Sequence, residues 1–397
     1  MHLLDRDKAL AIAPIWRLGF RPFFLAGAAF AVIAIVLWGA WLQGLLPSWQ
    51  PADGMLAWHR HEMPFGFAAA IIAGFLLSAV QTWTGTPGLS GRPLMLLAGL
   101  WLVARLAWAW AGSLQPLAVA ALQLPFLPVL AIVLGRQIWR ARQKHNYPIV
   151  GVLLLLSLCQ WQVLAGLAPG NDEWQRRGAL AALWLIAALL GVIGGRVIPF
   201  FTQRGLSRPQ PFAAHPKLDR LGLACALLIA TSIAAGPGLT AHAWLAPLFL
   251  GFAALHALRL WRWRDRRLCN VPLLWSLHLA YAWLPVAALG MAAWHLGLPL
   301  ASSLASHALA VGAMSGLILA MIARVSLGHT GRPLHPPPTM AWAFAALQLA
   351  TVARVVVAAF SPWGLWLAVG LWALAFALFL ASYAPILCRA RADGQPG

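Results

Sequence analysis

The sequence predicts an all-α, polytopic integral membrane protein of about twelve transmembrane helices, and three observations predict it. Of 397 residues, 61% are hydrophobic and only 9% charged, with a mean hydropathy of +0.77, against roughly a quarter charged in soluble domains. Apolar runs of about 20 residues, enough to cross ~30 Å of hydrocarbon, recur along the whole chain. The runs are continuous rather than alternating, which in lipid means helices rather than a barrel.

The twelve spans are expected near 23–46, 65–82, 93–112, 115–135, 148–168, 178–200, 219–236, 239–260, 271–295, 300–323, 339–360 and 363–388. The first is too long for a signal-peptide core and should remain as a helix. The second opens after Pro64, a residue suited to the first turn of a helix. The third carries Arg105, the sixth Arg196 and the eleventh Arg354. The eighth and ninth form a hairpin across the basic stretch 259–267, and the last two close the chain. Connections are short, so residues 1–397 read as a single transmembrane domain. No convincing internal repeat stands out, although twelve helices could form two related sets of six.

Charge supplies the orientation. With the N-terminus in the cytoplasm, 22 of the 28 Lys and Arg residues fall on the cytoplasmic side, 3 outside (Arg60, Arg176, Arg177) and 3 within spans. The positive-inside rule then places both termini in the cytoplasm. The formal net charge of +19 is therefore a topology signal, and a nucleic-acid partner is not expected. The lipid bilayer is the evident partner. Cys159, Cys225, Cys269 and Cys388 are scattered, without the spacing of a disulfide framework or a cysteine metal site.

Ionisable groups inside spans cost about 2.5–3.5 kcal/mol each on insertion scales, and so mark candidate sites. Here they are mostly histidines. His256 and His278 enter spans eight and nine to similar depth from one side, which makes them a candidate axial pair for haem on facing helices. Arg196, at a comparable depth, is a candidate propionate partner. Helix packing is the plainer reading of each alone. Gly191 with Gly195 and Gly312 with Gly316 have the spacing of close helix contacts, or of a face that admits a flat cofactor. In "WHRHEMPFGFAA", an extended segment before Pro64 would turn His59, His61 and Met63 to one side, a donor set suited to copper. His307 and His295 approach from the same side. Were the segment helical, His59 and His61 would diverge by about 200°. His329 is expected in a cytoplasmic loop, where capping or function would account for it. Acidic residues inside the spans are not expected.

Three segments, "WHRHEMPFGFAAAIIAGFLLSAVQTWTG", "GGRVIPFFT" and "HALAVGAMSGLILAMIARVSLGHTGRPL", resemble the signatures of the NnrS family, from the first span to the last. The resemblance implies a bacterial inner-membrane protein containing haem, of type unspecified, and copper. It also implies a part in denitrification or nitrosative stress, with nitric oxide or another small diatomic as ligand and an unidentified electron donor. The motif histidines fall on His59, His61, His278, His307 and His329, with His256 in the corresponding region; no individual ligand role carries over. Where the family reads Asn-Trp-Thr-Gly, this chain has Thr82 before Trp83, Thr84 and Gly85, and lacks that side-chain amide. Redox activity at such a site is an open question. The alternative class is a secondary transporter of a small solute, without haem.

Overall fold

In a computed structural model, residues 6–109, 116–167 and 171–396 are described. The chain is about 80% helical, with no strand among the described residues. Among the described residues, eleven helices are long and apolar enough to cross a membrane. In chain order the principal helices are α1 Phe20–Leu42, α2 Gly54–Thr84, α3 Arg92–Ala109, α4 Leu117–Arg140, α5 Lys144–Ala165 and α6 Asp172–Gly205. They continue as α7 Pro216–Ala235, α8 Ala243–Arg262, α9 Pro272–His295, α10 Ser302–His329, α11 Pro338–Ala359 and α12 Trp363–Cys388. Eleven of the expected spans are matched in order. The third corresponds to α3, which stands outside the eleven, and the expected residues 110–112 lie outside the described ones, as do 115 and 168 from the neighbouring spans.

The helices fall into two compact units that interleave along the sequence. The first holds residues 1–179, 322–337 and 376–397; the second holds 180–321 and 338–375. In the first, α1 packs along α2 and α2 against α4. Phe23 of α1 meets Phe126 of α4 with ring centroids 5.8 Å apart, and Ser78 of α2 accepts the Phe20 amide at 2.9 Å, satisfying a donor that a helix start leaves open. In the second, the α8–α9 hairpin and the α9–α10 contact dominate. Trp184 of α6 packs edge-on against Phe249 and Phe252 of α8.

One structural element occurs twice. A histidine, His61 or His307, is followed at once by a π-helix, Glu62–Ala68 or Ala308–Ser315. A glycine stands five residues after each histidine, Gly66 or Gly312. Twenty-three residues after each histidine comes a threonine, Thr84 or Thr330. Its hydroxyl donates to the carbonyl four residues back, at 2.7 and 2.6 Å respectively. Each threonine precedes a glycine at positive φ, Gly85 at +67° and Gly331 at +71°, the left-handed conformation that ends a helix. Both copies run on to the tripeptide Val-Ala-Arg, ending at Arg105 and Arg354. The repeat relates α2 with α10, and its few shared residues are scattered among interchangeable apolar ones.

Candidate functional site

The stretch ahead of Pro64 is helical, not extended. Gly54–His61 is α-helix and runs into the π-helix without a break. Pro64 lacks an N–H and disrupts regular α-helical bonding, and a π-turn is one way to carry the chain past it. The geometric basis for a converging His59–His61 copper pair is thereby removed. His59 stacks on Trp38, centroids 4.3 Å apart, while the fully buried His61 stacks on Trp108 at 4.5 Å.

His61 belongs instead to a closed polar network. Its Nδ1 meets Glu62 Oε1 at 2.8 Å, and Gln160 Nε2 lies 3.2 Å from its Nε2. A carboxylate accepts and an amide nitrogen donates, an arrangement that fits an imidazole carrying its proton on Nδ1. The other oxygen of Glu62 pairs with Arg105 Nε at 2.8 Å. Arg105 also donates to the Phe65 carbonyl at 3.0 Å and to Gln123. Gln123 donates in turn to the Ala104 carbonyl and accepts at its own carbonyl from Gln160. Each of the five side-chain owners is at least 92% buried. Glu62 corrects the expectation that the spans hold no acidic residue: the second helix begins earlier than its hydropathy suggests and takes the glutamate inside.

In the second unit, His307 donates from Nδ1 to the Ser303 carbonyl at 2.6 Å, and Arg354 Nη2 lies 3.1 and 3.3 Å from its two ring nitrogens. His295 accepts the His242 amide at Nδ1, 3.2 Å away, and packs on Phe249.

The facing partner of His256 is a phenol. Tyr281, one turn beyond His278 on α9, meets His256 Nδ1 at 2.7 Å. Arg259 donates to the Tyr281 hydroxyl at 3.3 Å and to the Gly191 carbonyl at 2.9 Å, and pairs with Asp219. A Cβ at Gly191 would stand 2.9 Å from His256 Cε1. The glycine face of α6 is thus filled by His256 and the Arg259 guanidinium. His278 donates from Nδ1 to the Leu274 carbonyl at 2.9 Å, and its Nε2 faces the Trp263 backbone without a well-formed hydrogen bond. Arg196 lies on an exposed part of α6, within the field of Asp219.

His329 is the last residue of α10, not a loop residue. It lines a cavity of about 500 Å³ in the first unit, together with Arg17, Ser78, Gln81, Thr82 and Arg391. That volume is in the range of cofactor- and drug-sized pockets. Phe20 packs on the His329 ring at 5.4 Å, and neither ring nitrogen has a hydrogen-bond partner among the described residues. Arg391 is held by the His329 carbonyl at 2.9 Å and by Asp393. Arg17 is fixed by the carbonyls of Ile12 and Leu10, while its buried Nη1 is unpartnered. Arg21, wholly buried, donates to the carbonyls of Leu387 and Arg389 at the end of α12, with Nε and Nη2 unpartnered. It lies in the fields of Arg17, Arg332 and Arg391. Sequence reading singled out His329 but not these arginines, which counted only toward topology.

Two requirements of the expected cofactors can be compared with these residues. Haem needs an open imidazole nitrogen, a pocket of sufficient size and cations for its propionates, and the cavity beside His329 offers all three. Copper needs several converging donors; among the described residues no three His, Cys, Asp or Glu side chains come together to hold a metal ion. A family model described as NnrS protein matches residues 14–391, nearly the whole chain. No curated protein matches it.

Proposed function

The chain belongs to the NnrS family, and from that premise we propose that it is a haem protein of the bacterial inner membrane acting in the response to nitric oxide. The observation that carries this reading is the cavity that His329 lines together with Gln81, Thr82 and the two fixed arginines Arg17 and Arg391. Haem bound there would supply an iron able to take a small diatomic ligand.

The residues divide that task. His329 presents a donor nitrogen whose orientation Phe20 maintains. Arg17 and Arg391 would hold the carboxylates of such a group at the polar rim, and Arg17 keeps a buried Nη1 without a hydrogen-bond partner among the described residues. Leu18, Ile12 and Pro87 form apolar wall that limits water. The tail residues Gln395 and Pro396 also line the cavity, so cytoplasmic termini, as the charge bias implies, would open it toward the cytoplasm. Nitric oxide, small and nearly apolar, would need no polar channel through lipid.

The test is the absorption spectrum and haem content of detergent-purified protein. His329→Ala should lose or shift the Soret band, and Arg17→Gln should lower haem retention. Cells carrying either variant should lose nitric-oxide tolerance. A Soret band unchanged in His329→Ala would overturn this placement.

Glu62 gives the transporter alternative the buried carboxylate it had lacked. Both oxygens are committed, however, one to His61 and one to Arg105. Uptake by haem-free protein in vesicles would favour transport.

A further inference from the structure

The two copies of the histidine–π-helix element differ at one chemically decisive position. In the first, Glu62 follows the histidine and bridges it to arginine, 2.8 Å from His61 Nδ1 and 2.8 Å from Arg105 Nε. In the second, Ala308 follows His307. The cationic side is nevertheless retained, because Arg354 reaches the His307 ring as Arg105 reaches the environment of His61. Arg354 has no acidic partner among the described residues, and its own hydrogen bonding goes to His307 alone.

A guanidinium is charged at any physiological pH and presents its donors as a planar fork. Set into a membrane helix without a counter-ion, it carries the desolvation cost of an uncompensated charge. Snorkelling offers little relief to a side chain already directed at a ring on the neighbouring helix. The first copy removes the cost with Glu62. The second keeps the arginine and omits the glutamate.

Accessibility differs in the same sense. Glu62 and His61 are fully buried, with Glu62 enclosed by Gly66, where a Cβ would stand 2.8 Å from its Oε2 and 2.9 Å from Arg105 Nη1. His307 and Arg354 are half-exposed, close to the start of α10 and therefore near the membrane boundary. The equivalent glycine, Gly312, is occupied by Trp283 of α9, so the second copy has no room for an enclosed glutamate but stays open on its outer side.

We propose that His307 and Arg354 bind a small anion with two coplanar oxygens, of the carboxylate or nitrite class, in the role that Glu62 fills within the first copy. One oxygen lies on the arginine fork, as in paired arginine–carboxylate contacts. The other is near the imidazole edge, which donates when protonated. This site stands apart from the cavity at His329 and does not depend on haem being bound there.

The experiment is titration calorimetry of the full-length protein in detergent, with sodium acetate and sodium nitrite as probes and sodium chloride at matched ionic strength as the reference. Wild-type protein should bind both probes in preference to chloride. Arg354→Gln should weaken them by about tenfold or more, the size of one lost charge-assisted hydrogen bond, and Arg354→Lys should restore part of the binding. His329→Ala should leave acetate binding intact, separating this site from the cavity. Equal affinities in wild type and Arg354→Gln, or no preference over chloride, would overturn the proposal.

Discussion

Glu62→Gln is the sharpest perturbation of the first unit. Glutamine keeps the volume, so no cavity term arises. What changes is charge: Arg105, whose side chain is 6% exposed, loses the partner that sits 2.8 Å from its Nε. Removing one member of a buried pair costs about 3–5 kcal/mol, because the survivor stays charged and unpaired. Ordinary interhelical hydrogen bonds in membranes average only about 0.6 kcal/mol, so the two explanations differ several-fold. The assay is unfolding in mixed micelles at rising SDS fraction, applied to Glu62→Gln, Arg105→Met and the double variant. If compensation of charge dominates, the double variant should be less destabilised than the sum of the singles by about 2 kcal/mol or more. A loss under about 1 kcal/mol in Glu62→Gln, or additivity of the two singles, would refute the reasoning.

Three further outcomes are expected. Reporter fusions near Asp53 and after Arg389 should report opposite sides of the membrane, the latter cytoplasmic; a periplasmic signal after Arg389 would reverse the charge-based orientation. Gly191→Ala should destabilise by about 1–3 kcal/mol through overpacking, because its Cβ would meet His256 Cε1 at 2.9 Å; an unchanged midpoint in the SDS assay would mean that the glycine face is loose. In the loop between α8 and α9, the Arg267 side chain and amide, with Arg208, hold the Asp265 carboxyl down at about 2. A depressed folded-state value stabilises above the unfolded value of about 3.9, so the wild-type advantage over Asp265→Asn should hold at neutral pH. It should shrink from about pH 4 toward pH 2, and an advantage that grows on acidification would contradict the pairing.

How much of this was legible in the sequence depended on the physical signal involved. Helix number and order followed from hydropathy, because lipid leaves no alternative to satisfied helical backbone. The polar interior was harder. Pro64 and the polar run before it looked like a helix start, whereas the helix begins at Gly54 and tolerates the proline within a π-turn. Glu62 therefore fell outside the expected second span, 65–82. The depth match of His256 and His278 was sound as arithmetic along two helices, but depth does not fix rotation, and the ring facing His256 is Tyr281. His329 was singled out on chemical grounds. Its cavity, by contrast, is assembled from residues as distant as Arg17 and Arg391, which no local pattern connects.

The duplicated element also separates cause from coincidence at Pro64. Proline within a helix invites the explanation that it forces the π-turn. Yet Ala310 occupies the equivalent place in the second copy, and the π-helix Ala308–Ser315 forms there without any proline. There the Ser315 hydroxyl donates to the Ala310 carbonyl at 2.7 Å, satisfying an acceptor within the turn. What both copies share is the histidine at the start and the glycine five residues on. Pro64→Ala should consequently keep the π-turn and the His61–Glu62–Arg105 network, changing stability by no more than about 1 kcal/mol. Gly66→Ala should cost considerably more, because its Cβ would stand 2.7 Å from Phe30 Cε1 as well as against the buried ion pair; overpacking alone is worth about 1–3 kcal/mol, with part of the pair's stabilisation lost in addition. The two variants, unfolded side by side in the same SDS titration, give a direct comparison. If Pro64→Ala proved as damaging as Gly66→Ala, the turn would owe its existence to the proline, and the likeness between α2 and α10 would no longer describe a common cause.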